Sequence, residues 1–233
     1  MTRQIIVIRS NNSKLKIMKI KNLIYVFAII LIATSCDEMN INGSGPIISE
    51  TRSVPAFTSI NSSLPANIII GQGSEQNLTI STHGNVMGII ESRVVNGELR
   101  LGLKSNVRSL DRLDIYITAA NFENLKLSGT GRLSTEGCLE VDELDVRLSG
   151  ASSVDLCGIT SSLEIDLSGA SAFKSYDMMA QSVNVSVSGA SSVQVSADQL
   201  LDVTISGAAS VHYKGSPQIN SNISGAGSLI NAN

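Results

Sequence analysis

Between Leu144 and Ile205 apolar and polar residues alternate in short, strictly phased runs. Leu144, Val146 and Leu148 return as Leu163, Ile165 and Leu167, then as Val183, Val185 and Val187, then as Leu201, Val203 and Ile205. The positions between them hold Asp145, Arg147, Glu164, Asp166, Asn184, Ser186, Asp202 and Thr204. A period of two sends the first set to one face of a strand and the second set to the other. Each run closes on Ser-Gly, in six related copies: LSGTGRL from Leu127, LSGASSV from Leu148, LSGASAF from Leu167, VSGASSV from Val187, ISGAASV from Ile205 and ISGAGSL from Ile223. Their glycines, Gly129, Gly150, Gly169, Gly189, Gly207 and Gly225, are 21, 19, 20, 18 and 18 residues apart. A near-constant spacing of this size marks stacked rungs.

The fold class that follows is all-β: a parallel β-helix or β-solenoid with rungs of about 18–21 residues. Each strand lies parallel above its predecessor, so Leu, Ile and Val form columns that no rung can bury alone. The repeated glycines are assigned to corners, where a Cβ obstructs the turn, and the small residue after each, Thr130 or Ala, fits the same crowded place. Two or three faces per rung both satisfy the spacing, the handedness stays open, and a β-prism or stacked hairpins are the alternatives. The last copy carries Ser221 where earlier ones have an apolar residue. Such polar dilution is what a capped solenoid end needs, because an open strand edge invites pairing; an oligomer contact at the same edge is the alternative.

Ahead of the repeats, short apolar runs separated by turn residues predict strands at 57–61, 66–70, 78–81, 88–95, 98–103 and 113–118. Asn96-Gly97 between two of them predicts a tight β-hairpin, since both residues tolerate positive φ. No segment carries an apolar period of 3.6 long enough for a helix.

The N-terminus is of a different kind. Leu23 to Ala33 is apolar, follows Lys19 and Lys21, and precedes small residues and Cys36. That length fits a signal segment better than a membrane span. Residues 1–35 are therefore expected to be a lipoprotein signal peptide whose functional start is Met1 or Met18. Ile32-Ala33-Thr34-Ser35-Cys36 resembles a bacterial lipobox, with Ala33 where Leu is commonest, and implies lipidation of Cys36. Residues 36–50, rich in Asn, Ser and Gly, are expected to be a flexible tether, leaving 51–233 as the solenoid domain. Asp37-Glu38 is compatible with an export tag to the outer face of an outer membrane, or simply with an acidic start to the tether.

Composition narrows the partners. Aromatic residues make up 3% of the chain and Trp is absent. All six basic residues before Cys36 fall in the signal segment, so 17 less six leaves 11 against 20 acids, a net charge of −9 for the remainder. An acidic, aromatic-poor surface lacks both phosphate contacts and stacking platforms, which excludes nucleic acid. His83 and His212 lie far apart and the thiols show no metal-ligand spacing, so neither metal nor cofactor is expected. Cys138 and Cys157 are separated by about one rung. They could form a disulfide in an oxidising compartment or stay as free thiols, since they stand nine and seven residues after their respective glycines. Ser171-Ala172-Phe173-Lys174 matches a Ser-x-x-Lys acyl-transfer motif, but at a turn rather than on a helix. Gly71-Gln72-Gly73 lacks the rest of a phosphate loop. Asp145, Glu164, Asp166 and Asp202 offer paired carboxylates to a β-helical polysaccharide enzyme, yet they are also the ordinary polar half of alternating strands.

Arg52 to Ile60 (RSVPAFTSI), Ala66 to Ser74 (ANIIIGQGS) and Val95 to Leu101 (VNGELRL), followed by the Ser-Gly-Ala-Ser copies, resemble in that order the family called putative auto-transporter adhesin, head GIN domain. The resemblance runs from about Val54 to Asn231. It implies an exported, often lipid-anchored, β-rich solenoid, and by its name adhesion; it brings no catalytic residues. The combined expectation is a non-catalytic cell-envelope protein, held at the outer membrane through lipid, that binds an extracellular glycan or protein and is compatible with homo-oligomers. A structural envelope role without a dedicated ligand is the alternative.

Overall fold

The alternating runs become strands whose order in space departs from their order in the chain. The computed structural model describes residues 41–233; Cys36 and the expected signal segment lie outside the described residues. The first part comprises β1 (Ile41–Asn42), β2 (Ile47–Thr51), β3 (Ser59–Ser62), β4 (Asn67–Gln72), β5 (Asn77–His83), a single helical turn α1 (Gly84–Met87), β6 (Ile90–Val95), β7 (Glu98–Leu103), β8 (Val107–Ser109) and β9 (Leu113–Ala119). The repeats supply β10 (Asn124–Leu127), β11 (Arg132–Thr135), β12 (Leu139–Leu148), β13 (Ser153–Asp155), β14 (Gly158–Leu167), β15 (Ala172–Gly189), β16 (Ser192–Gly207), β17 (Ser210–Lys214), β18 (Gln218–Gly225) and β19 (Ser228–Asn231).

Parallel pairing arranges these strands in three columns, so the solenoid has three faces. The first column runs β7, β3, β10, the second halves of β12, β14, β15 and β16, then β18. The second runs β9, β4, β11, β13, the starts of β15 and β16, β17 and β19. The third is shorter, formed by the first halves of β12 and β14 with the middles of β15 and β16. At the corner between the third and first faces the alternation skips a beat: Asp142 and Glu143 are both exposed between buried Val141 and Leu144. Six glycine corners enclose five full turns.

The interior consists of aliphatic columns. Leu125, Val146, Ile165, Val185 and Val203 stack in register on the first face, and all are buried. Each contributes about 1.5–3 kcal/mol by leaving water. Phe122 and Phe173 are the largest fully buried side chains.

The Ser-Gly corners follow the same stacking logic. The ladder continues through them, with Ala151 N–H bonded to Gly129 C=O at 2.8 Å and Ala170 N–H to Gly150 C=O at 2.8 Å. Backbone thus lies directly on backbone. At Gly169 φ is +80°, and a Cβ would stand 2.6 Å from the Gly150 carbonyl oxygen, so both conformation and space exclude a side chain there. In the three copies that carry a serine after the Ala, Ser152, Ser171 and Ser191, that side chain turns inward. Ser152 and Ser171 are buried and donate to Ser149 C=O and Ser168 C=O, each at 3.1 Å, tying the corner to itself.

The expected tether is corrected by the strands that precede residue 51. From Ile41 onward the chain is folded: β1 pairs with β8, and β2 forms a five-residue antiparallel ladder with β5 from Ile47↔His83 to Thr51↔Thr79. Its polar groups are engaged rather than loose, with Ser44 N–H on Asn85 Oδ1 at 2.9 Å and Asn85 Nδ2 on Asn42 C=O at 2.8 Å. The composition suited a tether because an edge strand needs the same polar outer face. The single turn of α1, between β5 and β6, was not signalled by any apolar period.

Candidate binding surface

The outward positions of the first face carry a ladder of charged side chains, and that charge is largely paired. Arg147 Nη2 lies 2.9 Å from Asp145 Oδ2 and Arg147 Nε lies 3.6 Å from Asp166 Oδ2, so one guanidinium joins two rungs. The hydrogen bond and charge of Asp145 hold the Arg147 guanidinium even more firmly protonated than usual. Lys126 Nζ is 3.2 Å from Glu98 Oε2, and Asn220 Nδ2 donates to Asp202 Oδ1 at 2.6 Å. Partial burial of Glu98 opposes its ionisation, but hydrogen bonds from Arg100, Asn61 and Lys126 outweigh this and keep its carboxyl below the usual range. A groove of about 490 Å³ runs beside this ladder, lined by Lys126, Arg147, Asp166 and the outward serines Ser128, Ser149, Ser168 and Ser188. Those hydroxyls are partly occupied: Ser168 and Ser188 reach Leu148 C=O and Leu167 C=O at 3.4 Å.

The third face differs. Ile159 and Met179 are neighbours in the β14–β15 register and both point outward, 53% and 63% exposed. They lie in a groove of about 810 Å³ whose wall includes Glu140, Asp142, Gln181 and Asp198. Gln72 closes one end: its Nε2 donates to Glu140 C=O at 2.9 Å and its Oε1 accepts from Glu140 N–H at 2.7 Å. Two stacked large apolar side chains within an acidic rim form a surface that gains by being covered. Met also adapts its shape to what covers it. The signal for this site was in the sequence, as apolar residues at the outward phase of β14 and β15, but the repeats drew attention to the inward phase.

The other candidates resolve as follows. Cys138 and Cys157 are joined in a disulfide with their Cα atoms 4.5 Å apart. Counted from their preceding glycines they are misaligned; counted toward the next corner they match, because β12 and β14 register as Leu139↔Gly158 and the longer rung takes up its extra residues earlier. Ser171 Oγ is committed to the Ser168 carbonyl, and Lys174 stands on the exposed side of β15, so the Ser-x-x-Lys match has no shared chemistry. His83 bonds Gly45 C=O through Nδ1 at 2.9 Å and Asp111 Oδ1 through Nε2 at 2.6 Å. The Gly45 carbonyl first, and Asp111 second, raise its pKa. His212 sits on β17 between Gln194 and Ile230. Among the described residues no group of three or more His, Cys, Asp or Glu is placed to hold a metal ion.

Three solved structures share this architecture. A putative adhesin from Bacteroides fragilis superposes with a TM-score of 0.69 at 24% identity, covering 82% of this chain and 100% of its own. A putative lipid binding protein from Parabacteroides distasonis gives 0.64 at 17% identity, covering 83% and 100%. A putative adhesin from Parabacteroides merdae gives 0.54 at 15% identity, covering 83% and 99%. At these identities the likeness is one of fold. No curated protein matches the chain. Residues 56–217 match the family model described as putative auto-transporter adhesin, head GIN domain, and the chain belongs to that family.

Proposed function

We propose that this protein is a non-catalytic adhesin of the cell envelope, tethered by lipid on Cys36, that holds a protein ligand in the groove of its third face. The observation that carries the reading is the exposed Ile159–Met179 pair inside a groove of about 810 Å³ with an acidic rim. Such a site suits a polypeptide that offers an apolar side chain flanked by basic residues. A glycan is less well served, since among the described residues Tyr116 is the one aromatic ring in the set of large exposed apolar side chains. Family membership supports adhesion as the class of activity. Three of the four carboxylates considered as acid and base are engaged elsewhere: Asp145 and Asp166 share Arg147, and Asp202 takes the Asn220 amide, which leaves Glu164 without a paired carboxylate free to work with it.

The test is binding of the full chain to an array of matrix proteins and glycans, repeated with Met179→Glu. A protein ligand lost at least tenfold in affinity, with thermal unfolding unchanged, supports the reading. Binding that Met179→Glu leaves intact, or a response to glycans alone, overturns the site. No binding at all favours a structural envelope role. Fatty-acid labelling that persists in Cys36→Ala overturns the anchor.

A further inference from the structure

We infer that the rung formed by β18 and β19 is a self-pairing surface, through which two copies of this chain join end to end about a two-fold axis at Ser221. This rung is unlike those behind it. β18 pairs with β16 on one side, and among the described residues no strand lies on its other side. All eight of its residues are exposed, including Ile219 and Ile223, which continue the interior columns of Leu201 and Ile205. Leu229 and Ile230 extend the same uncovered end on the second face. An open edge is ordinarily protected by charge, by proline within the strand or by a bulge. From Ser216 to Asn233 there is no Asp, Glu, Lys or Arg, and β18 contains no proline.

The occupant is specified by the sequence of the edge. Ile219-Asn220-Ser221-Asn222-Ile223 reads identically in both directions. Laid antiparallel on itself about Ser221, it sets Ile219 opposite the second copy's Ile223, Asn220 opposite Asn222, and Ser221 opposite Ser221. Opposed residues in an antiparallel pair share a face. The isoleucines of both copies therefore stay on the interior side, and the asparagines stay on the outer side.

The backbone agrees with this register. Along the stack the outward residues bond backward, as Asp145 N–H does to Glu123 C=O and Ser149 N–H to Leu127 C=O. By the same alternation Ile219, Ser221 and Ile223 direct their N–H and C=O groups away from β16. These are the residues that the two-fold brings into hydrogen-bonded pairs, for about six new backbone bonds. The same patch serves both partners, as a closed two-fold dimer requires. The strands β1 and β2 of each copy then lie at the far ends of the pair. Combined with the lipid anchor proposed above, that arrangement joins two surfaces rather than two neighbours on one. The pairing itself does not depend on the anchor.

The experiment uses the full chain in detergent solution. Light scattering is expected to give twice the chain mass. Ser221→Cys, on the axis with Cα atoms about 5.5 Å apart, is expected to form a disulfide-linked dimer on mild oxidation, whereas Thr204→Cys, one rung inside, is not. Asn220→Lys with Asn222→Lys places lysines opposite one another on the solvent side and is expected to give folded monomers with unchanged circular dichroism. Those monomers are expected to be recaptured by tagged copies carrying Asn222→Glu. The inference is overturned by a monomeric parent chain, by Ser221→Cys cross-linking no better than Thr204→Cys or linking to a different polypeptide, or by a dimer that survives the double lysine substitution. Because these measurements do not require lipid, their failure leaves the anchor and the third-face groove untouched.

Discussion

The two ends of the solenoid are finished in opposite ways. At the β7–β9 end the parallel stack is closed by antiparallel strands: β6 covers β7, β5 covers β9, and β2 covers β5. Arg52 fastens this cap, donating to Ile90 C=O at 2.8 Å, Met87 C=O at 3.0 Å and Ser92 Oγ at 3.1 Å while pairing with Glu50 at 2.6 Å. The outermost strands carry Glu50, Glu91 and Arg93, charges that discourage a further strand. At the β18–β19 end, among the described residues, no strand covers the last rung, and Ser216 to Asn233 contain no charged side chain. The columns that antiparallel strands cover at one end stop in partly exposed isoleucines at the other. A stack gains most of its stability between rungs, so the covered end is expected to resist opening and the bare rung to fray unless a partner completes it.

That contrast can be broken at matching positions. The largest effect is expected from Gly169→Val, inside the stack, where a Cβ 2.6 Å from the Gly150 oxygen adds a backbone clash to a positive-φ site. A loss of about 4 kcal/mol or more is expected. Gly225→Val meets a similar obstruction, 2.7 Å from the Gly207 oxygen, but on a rung that can peel away, and should cost about 1 kcal/mol in the same urea titration. Equal losses would mean that the last rung is held as firmly as the interior.

Reducing the Cys138–Cys157 bridge, which closes a loop of 19 residues between adjacent rungs, should cost about 3 kcal/mol, read as a lower urea midpoint with dithiothreitol present. Arg52→Ala removes the charged hydrogen bonds that fasten the cap and is expected to cost about 2 kcal/mol. Hydrogen exchange should rise first in β2, α1 and β6, and exchange confined to β18 and β19 would reverse the assignment of the strong and weak ends.

The smallest effect is a pH dependence confined to the capped end. His83 has a pKa raised above its ordinary 6.5 by Gly45 and Asp111, and Asp111 is correspondingly lowered by His83. A raised pKa stabilises the fold fully below 6.5, and that contribution is lost as the pH rises through the folded-state value. Exchange of the β1–β2 amides, corrected for the intrinsic rate, should therefore increase between pH 6 and 9 about as His83→Gln does at pH 6. A flat profile would remove His83 from the cap.

How much of this was legible depended on whether the determining interaction was local. The inward and outward phases of β12 to β16 follow from alternation alone, as does the β6–β7 hairpin at Asn96 and Gly97, with φ of 52° and 74°. The position of β3 and β4 does not. They are inserted between β7 and β10 and between β9 and β11, so the chain makes one turn, steps back to build the end rung, and then continues past its first turn. No periodicity encodes that order, because each of these strands has the same two-residue pattern and fits several slots. The disulfide was ambiguous for a related reason: loop length within a rung shifts the count, and register becomes known only once strands are paired.

The chain by itself determined that there would be rungs, which side chains face inward, and where the corners require glycine, since these follow from strand periodicity and the absence of a Cβ. Tertiary structure decided how many faces a rung has, which strands close one end, that the segment from Ile41 belongs to the fold, and that Ile159 and Met179 meet on the outside. Those outcomes depend on which strand lies beside which, and strands of equal pattern are told apart only by the neighbours that complete their hydrogen bonds and cover their apolar faces.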